Sequence, residues 1–174
     1  MKLLATLRDE DVIVGAPKFS TDNFSLRVAA RAIVTDGNSA VALLHGAKHS
    51  YHKLPGGGVE AGEDLALALH REIKEELGCD AQVTGEIGRV DEYRGEWKLY
   101  QQSYCYLAKL TGGKGVPEFT QEELDEGFEV VWADSIEAAI AILKADQPTN
   151  YDGKFMRARD LLVLETAWQQ ATAS

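Results

Sequence analysis

The sequence predicts an α/β fold of the mixed, α+β kind, in which helices cover a sheet. Three observations carry that expectation. Short apolar runs of strand length are separated by turn residues, as in 25–35 and 40–45 around Asp36-Gly37-Asn38-Ser39. Leu65, Leu69, Ile73 and Leu77 are spaced by four, which is the period of a helix. The two patterns then interleave along the chain.

Taken in order, residues 1–24 mix a short apolar stretch with charges and end in the turn-rich Ser20-Thr21-Asp22-Asn23. They read as an N-terminal edge strand or arm ahead of a domain over 25–174, one domain overall. The strand–turn–strand unit over 25–45 is followed by Leu54-Pro55-Gly56-Gly57-Gly58, which reads as a loop. A helix is predicted from Glu63 to Leu77, stopped by Gly78. Extended segments over 81–94 and 98–110 join through Arg94-Gly95-Glu96-Trp97. A Gly-rich loop from Thr111 to Pro117 and an acidic segment from Gln121 to Glu126 lead into a strand over 128–133. Ser135 caps a helix over 136–145, only partly, since Ala138 stands where a capping box wants Glu. A last amphipathic helix is predicted over 154–170.

Net charge is −10, from 28 acidic against 18 basic residues, which argues against nonspecific binding to polymeric nucleic acid or to an anionic membrane. A phosphorylated substrate would also be repelled unless a cation is bound. Cys79 and Cys105 fit no zinc or redox spacing, so reduced thiols in a cytoplasm are expected. LLATL near the start is too short for the apolar part of a signal peptide, and no apolar run approaches the roughly 18 residues of a membrane helix. Asn23-Phe24-Ser25 matches a glycosylation pattern by chance on this reading.

The densest chemistry lies between Gly57 and Cys79, where six carboxylates fall in 23 residues. Glu72, Glu75 and Glu76 sit at i, i+3 and i+4, beside the apolar stripe of one helix. Like charges at that spacing repel by roughly 0.2–0.5 kcal/mol per pair. Hard oxygen ligands so gathered make sense around a divalent cation, with Mg²⁺ the leading choice and Mn²⁺ its substitute. The adjoining glycines let backbone approach the site, so the carbonyl of Gly57 is a further candidate ligand.

Written out, the segment is Gly57, five residues, Glu63, seven residues, then Arg71-Glu72-Ile73-Lys74-Glu75-Glu76-Leu77-Gly78-Cys79. It resembles the Nudix box of the Nudix hydrolases, G-x5-E-x7-R-E-U-x-E-E-x-G-U with U bulky and aliphatic. The one departure is Cys79 at the final U. Leu54 to Glu60 resembles the usual approach to the box, and Glu126, Glu129 and Trp132 resemble an acidic loop leading into a late strand.

The resemblance implies an α/β/α sandwich with a central mixed sheet and a loop–helix–loop box. It implies metal ligation by Glu72, Glu75 and Glu76, with Glu63 and Arg71 bracing loop against helix. The reaction implied is hydrolysis of a nucleoside diphosphate linked to another moiety. A metal would neutralise the diphosphate and lower the pKa of the attacking water. The base comes either from the box, where Glu72 and Glu75 are catalytic candidates, or from Glu122, Glu123, Glu126 or Glu129. Glu126 is favoured, six residues before Trp132.

Weaker signals surround the box. Arg27, Lys53 and Arg94 are candidates for phosphate, although lone charges of this kind usually lie on the surface. Tyr93, Trp97, Tyr100, Tyr104 and Tyr106 are candidates to stack on a base, although strand aromatics more often pack in a core. The four histidines lack ligand spacing, and Gly112-Gly113-Lys114-Gly115 reads as a flexible hairpin and not a P-loop. By elimination the leading substrate class is nucleoside triphosphate, as in MutT-like diphosphatases. Alternatives are ADP-ribose, nucleotide sugars or dinucleoside polyphosphates, and a nonhydrolytic Nudix sensor. An isomerase of the isopentenyl diphosphate type would want an upstream cysteine motif that the chain lacks. A homodimer is left open.

Overall fold

The computed structural model describes residues 1–173. Its elements, in chain order, are β1 (Leu3–Arg8), α1 (Asp9–Val12), β2 (Ser25–Thr35), β3 (Val41–Gly46), β4 (Tyr51–Lys53), β5 (Gly56–Gly58), α2 (Leu65–Leu77), β6 (Asp80–Arg94), β7 (Leu99–Thr111), α3 (Gln121–Asp125), β8 (Phe128–Ala133), α4 (Ile136–Ala145) and α5 (Tyr151–Thr172). The expected mixed α/β architecture is present. The sheet runs β1-β6-β7-β2-β3-β4, with β5 added to β2 and β8 to β3. It is mixed in direction: β1 lies parallel to β6 and β2 parallel to β7, while the other pairs are antiparallel.

Two apolar cores, one on each face, make the three layers. On one face Ala30, Ala32, Val34, Ala42 and Leu44 meet Leu69, Ile73 and Leu77 of α2. On the other Ile33, Val41, Leu43 and Leu54 meet Leu143 of α4 and Val163, Leu164 and Ala167 of α5. The alternation along β2 is the two-residue period of a strand covered on both sides. Alanines at 29, 30 and 32 keep β2 slim, so that α2 and the glycine loop approach its backbone.

Local signals place α2. The Asp64 side chain accepts from the Leu67 amide at 2.8 Å as N-cap, and Gly78 ends the helix at φ 63°. Ser135 caps α4 through the Ala138 amide, as expected. The final helix starts three residues earlier than predicted, because Asn150 caps it by accepting from the Gly153 amide.

Four readings are corrected. Residues 56–58 are not loop: they form β5, paired with Ala29–Arg31 of β2, since glycine lets the backbone close on that strand. The 112–115 segment is no flexible hairpin: Gly115 packs on the backbone of Gly78, and Lys114 pairs with Asp36 at 3.0 Å and lies over Trp132. Lys53 and Arg94 are not surface charges: they are 8% and 2% exposed, held in ion pairs inside the fold. Trp97 is not core: it is 55% exposed in the turn between β6 and β7. Among the described residues no helix is long and apolar enough to cross a membrane.

Candidate active site

The site is assembled where β5 meets α2. The Gly56 peptide is held from two sides: Glu76 accepts its amide at 2.6 Å, and the buried Arg31 guanidinium donates to its carbonyl. Burial, with the nearby Arg159 charge, lowers the pKa of Arg31 to about 10. At Gly57 a Cβ would overlap the Glu72 carboxylate, so only glycine lets the backbone and that carboxylate share this space.

Arg71 ties the loop to the helix. Its Nε donates to Glu63 at 2.8 Å, and Nη2 donates to Glu63 at 3.1 Å and to the Gly58 carbonyl at 3.0 Å. Its Nη1 serves Glu72 at 2.8 Å and Glu75 at 3.2 Å. Hydrogen bonding from Arg71 and from the Glu60 amide holds Glu63 at a pKa of about 2. The paired guanidinium is raised in turn, chiefly by Glu63.

The three glutamates of the helix fan apart. Glu75 is exposed, Glu72 half-buried, and Glu76 only 2% exposed. Lys53 donates to Glu76 at 2.9 Å while its Nζ lies 4.8 Å from the centre of the Phe128 ring. Burial nevertheless pushes the pKa of Glu76 upward.

A cleft of about 500 Å³ opens over this constellation. Seven carboxylates line it, Glu60, Glu72, Glu75, Glu76, Glu118, Glu122 and Glu123, against one cation, Arg71. Hard oxygen donors in that excess, beside a backbone that glycine keeps clear, fit a divalent cation. Among the described residues no three acidic or histidine groups already converge on one point. The reason is visible in the pairing: Glu72 and Glu75 turn to Arg71, and Glu76 turns to Lys53 and the Gly56 amide.

The later acidic segment borders two hollows. Glu122 and Glu123 line both, and Glu123 also closes a capping box with Thr120. Glu126 instead faces Lys48 at 3.2 Å and His49 at 3.4 Å, in a side hollow of about 210 Å³ walled by Tyr51, Phe128 and Met156. Glu129 pairs with His45 at 3.0 Å, away from both. Arg27 lies beside Gly58 and donates to Gln101 at 3.1 Å. Tyr93 and Tyr100 stack on each other at 4.5 Å along the sheet.

Sequence reading missed Glu118 and Arg31. Thr120-Gln121-Glu122-Glu123 is an S/T-x-x-E signature, and it marks the helix start that aims Glu122. Nothing local marks Glu118, which arrives because its amide donates to the Glu75 carbonyl at 2.7 Å.

The family model of the NUDIX domain matches residues 25–156. Among solved structures, the fold is similar to a NUDIX hydrolase from Nitrosomonas europaea (TM-score 0.63, 14% identity, 84% of this chain and 90% of that one). It is similar also to the ORF135 protein of E. coli (0.60, 20%, 86% and 94%) and to the MutT protein of Methanosarcina mazei (0.57, 16%, 85% and 97%). At such identities these likenesses show the shared fold. With the family model spanning most of the chain and the box matched at every position but Cys79, the protein belongs to the NUDIX domain family and is a hydrolase of phosphoric anhydride bonds.

Proposed function

We propose that the protein hydrolyses nucleoside triphosphates to monophosphate and diphosphate, as a MutT-like diphosphatase, with Mg²⁺ as cofactor and Mn²⁺ as its substitute. The observation that carries this reading is the cleft itself. Seven carboxylates against one cation suit no phosphate unless divalent ions bind first.

Glu72, Glu75, Glu76 and the Gly57 carbonyl are the residues that would hold the ion. When bound, it supplies charge neutralisation and an acidified water. The chain's own residues do the rest. Arg71 and Glu63 keep Gly58 and the helix in register, and Arg27, beside Gly58, would meet the nucleotide.

For the base, geometry favours a change from the residue the sequence suggested. Glu126 pairs with Lys48 and meets His49 in the side hollow and does not line the cleft, whereas Glu122 lines both. Glu122 is therefore the proposed acceptor of the water proton, with Glu72 and Glu75 as box alternatives. A complete set of box glutamates supports an enzyme over a nonhydrolytic sensor. A cytoplasmic setting belongs to the same proposal, consistent with two free, buried cysteines.

The test is a panel of nucleoside triphosphates, nucleotide sugars, ADP-ribose and dinucleoside polyphosphates with Mg²⁺, read as phosphorylated products. Triphosphates should turn over best, and Glu122→Gln should lower kcat by roughly 10²-fold, the usual scale for general-base loss, with Glu126→Gln much milder. Preference for another class would reassign the substrate. A larger loss in Glu126→Gln than in Glu122→Gln would restore Glu126 as base. No turnover of any would leave the sensor reading.

A further inference from the structure

We infer that Lys53 is an internal counterion that holds the place of the metal on Glu76 and is handed to the substrate phosphate when metal binds. The inference rests on the proposed metal role of Glu76. Glu76 is nearly sealed from water, and its two oxygens have separate partners: Oε2 accepts the Gly56 amide, and Oε1 accepts Lys53 Nζ. A buried carboxylate left alone is costly, and the ammonium at 2.9 Å offsets its charge until a stronger cation arrives. Arg71 does the same for Glu72 and Glu75, but it is also fixed by Glu63 and the Gly58 carbonyl. Among the described residues Lys53 has no such second hydrogen-bonded anchor. Its ammonium otherwise lies over the Phe128 ring, a weak partner for a cation.

Lys53 also stands at a border. Its residue lines the side hollow with Tyr51 and Phe128, while Glu76, to which it reaches, lines the cleft. Released from Glu76, a flexible ammonium at that border meets a phosphoryl oxygen without rebuilding the backbone. Metal and nucleotide then help each other: the nucleotide takes Lys53 off Glu76, and Glu76 becomes free for the ion. By linkage the coupling is reciprocal.

The experiment measures Mn²⁺ affinity by electron paramagnetic resonance, with and without an α,β-methylene nucleoside triphosphate. Lys53→Met should bind Mn²⁺ about tenfold more tightly than the unaltered protein in the absence of nucleotide, about 1.4 kcal/mol. The factor by which nucleotide tightens Mn²⁺ binding should fall by a similar amount. Lys74→Met removes a charge from the exposed face of the same helix and should change neither. If Lys53→Met does not fold, Lys53→Gln, which keeps a hydrogen bond without the charge, should tighten Mn²⁺ at least threefold. Unchanged Mn²⁺ affinity in these variants overturns the inference, as does an equal gain in Lys74→Met or an undiminished coupling factor. Absence of Mn²⁺ binding in every form would instead defeat the metal reading of the site.

Discussion

Two charge-rich regions lie on opposite sides of β2 and β5, and they are built on different terms. On the α5 side, Glu92, Asp160, Arg159 and Arg94 are each at most 2% exposed and bonded to one another, to neutral partners or, for Arg94, to Asp152 at 2.6 Å. Gln101 and Ser103 donate to Glu92 Oε2, the oxygen that Arg159 also meets, at 2.7 and 3.1 Å. Asp160 also accepts the Leu54 amide at 2.9 Å, which ties α5 to the approach of the glycine loop. On the α2 side the cleft carries seven carboxylates to one lining cation, and it opens to water. The buried set turns its charges on one another, with Arg94 Nε the donor it leaves unmet. The open set carries excess charge toward water, and that difference supports the second region as the proposed site.

The contrast breaks most visibly in the buried region. Arg159→Met leaves Glu92 and Asp160 without their shared guanidinium, which should cost about 3–5 kcal/mol of stability. Urea unfolding reads it directly. A loss under 1 kcal/mol would mean that Arg94 and Arg31 suffice to hold Glu92. In the native protein burial raises the pKa of Glu92, but Arg159 and Arg94 outweigh that effect and hold it at about 2.

In the open region the signs separate. Glu75→Gln removes one of the repelling box charges from an exposed position, so stability should stay within about 0.5 kcal/mol of the parent. Its kcat should nevertheless fall by roughly 10²–10³, the scale of a lost electrostatic stabiliser in a transition state. Parallel kinetics and thermal unfolding on one preparation check both halves. A variant that loses activity only in proportion to stability would put Glu75 in the structural group.

How much of this division could be read from sequence follows from how local each signal is. The box was legible because Gly57, Glu63 and the Arg71–Cys79 run lie within one loop and one helix, where spacing fixes direction. The Gly78 stop and the Ser135 cap were legible for the same reason, whereas the Asp64 cap was not read and the helix starts at Leu65 and not at Glu63. The buried network was not. Glu92, Gln101, Arg159 and Asp160 are up to 68 positions apart and meet only through the β6–β7 register and the docking of α5. Lys53 was read as a lone charge because its partner lies 23 positions on, across a turn that pattern alone does not close. Glu126 was preferred by its distance from Trp132, a distance that does not tell that Glu122 borders both hollows and Glu126 only the side one.

The smallest effect lies where the two regions use the same chemistry with different access to water. Glu63 and Glu92 are both held at about 2, Glu63 by Arg71 and the Glu60 amide at the cleft, Glu92 by buried arginines. A carboxylate with a lowered folded pKa adds stability that is full above its unfolded value, about 4.3, and is lost as pH falls toward 2. Tm should therefore fall through that window in the parent protein. In Glu63→Gln the fall should be shallower, and by less than either effect above, because water reaches and screens the Arg71 pair. Calorimetric scans of the two proteins at matched ionic strength from pH 7 to 2 give the comparison. Superimposable curves would mean that Arg71 orients the loop without stabilising it, and the division would then be sharper still: at the cleft, charge serves geometry, and in the buried network it serves the fold.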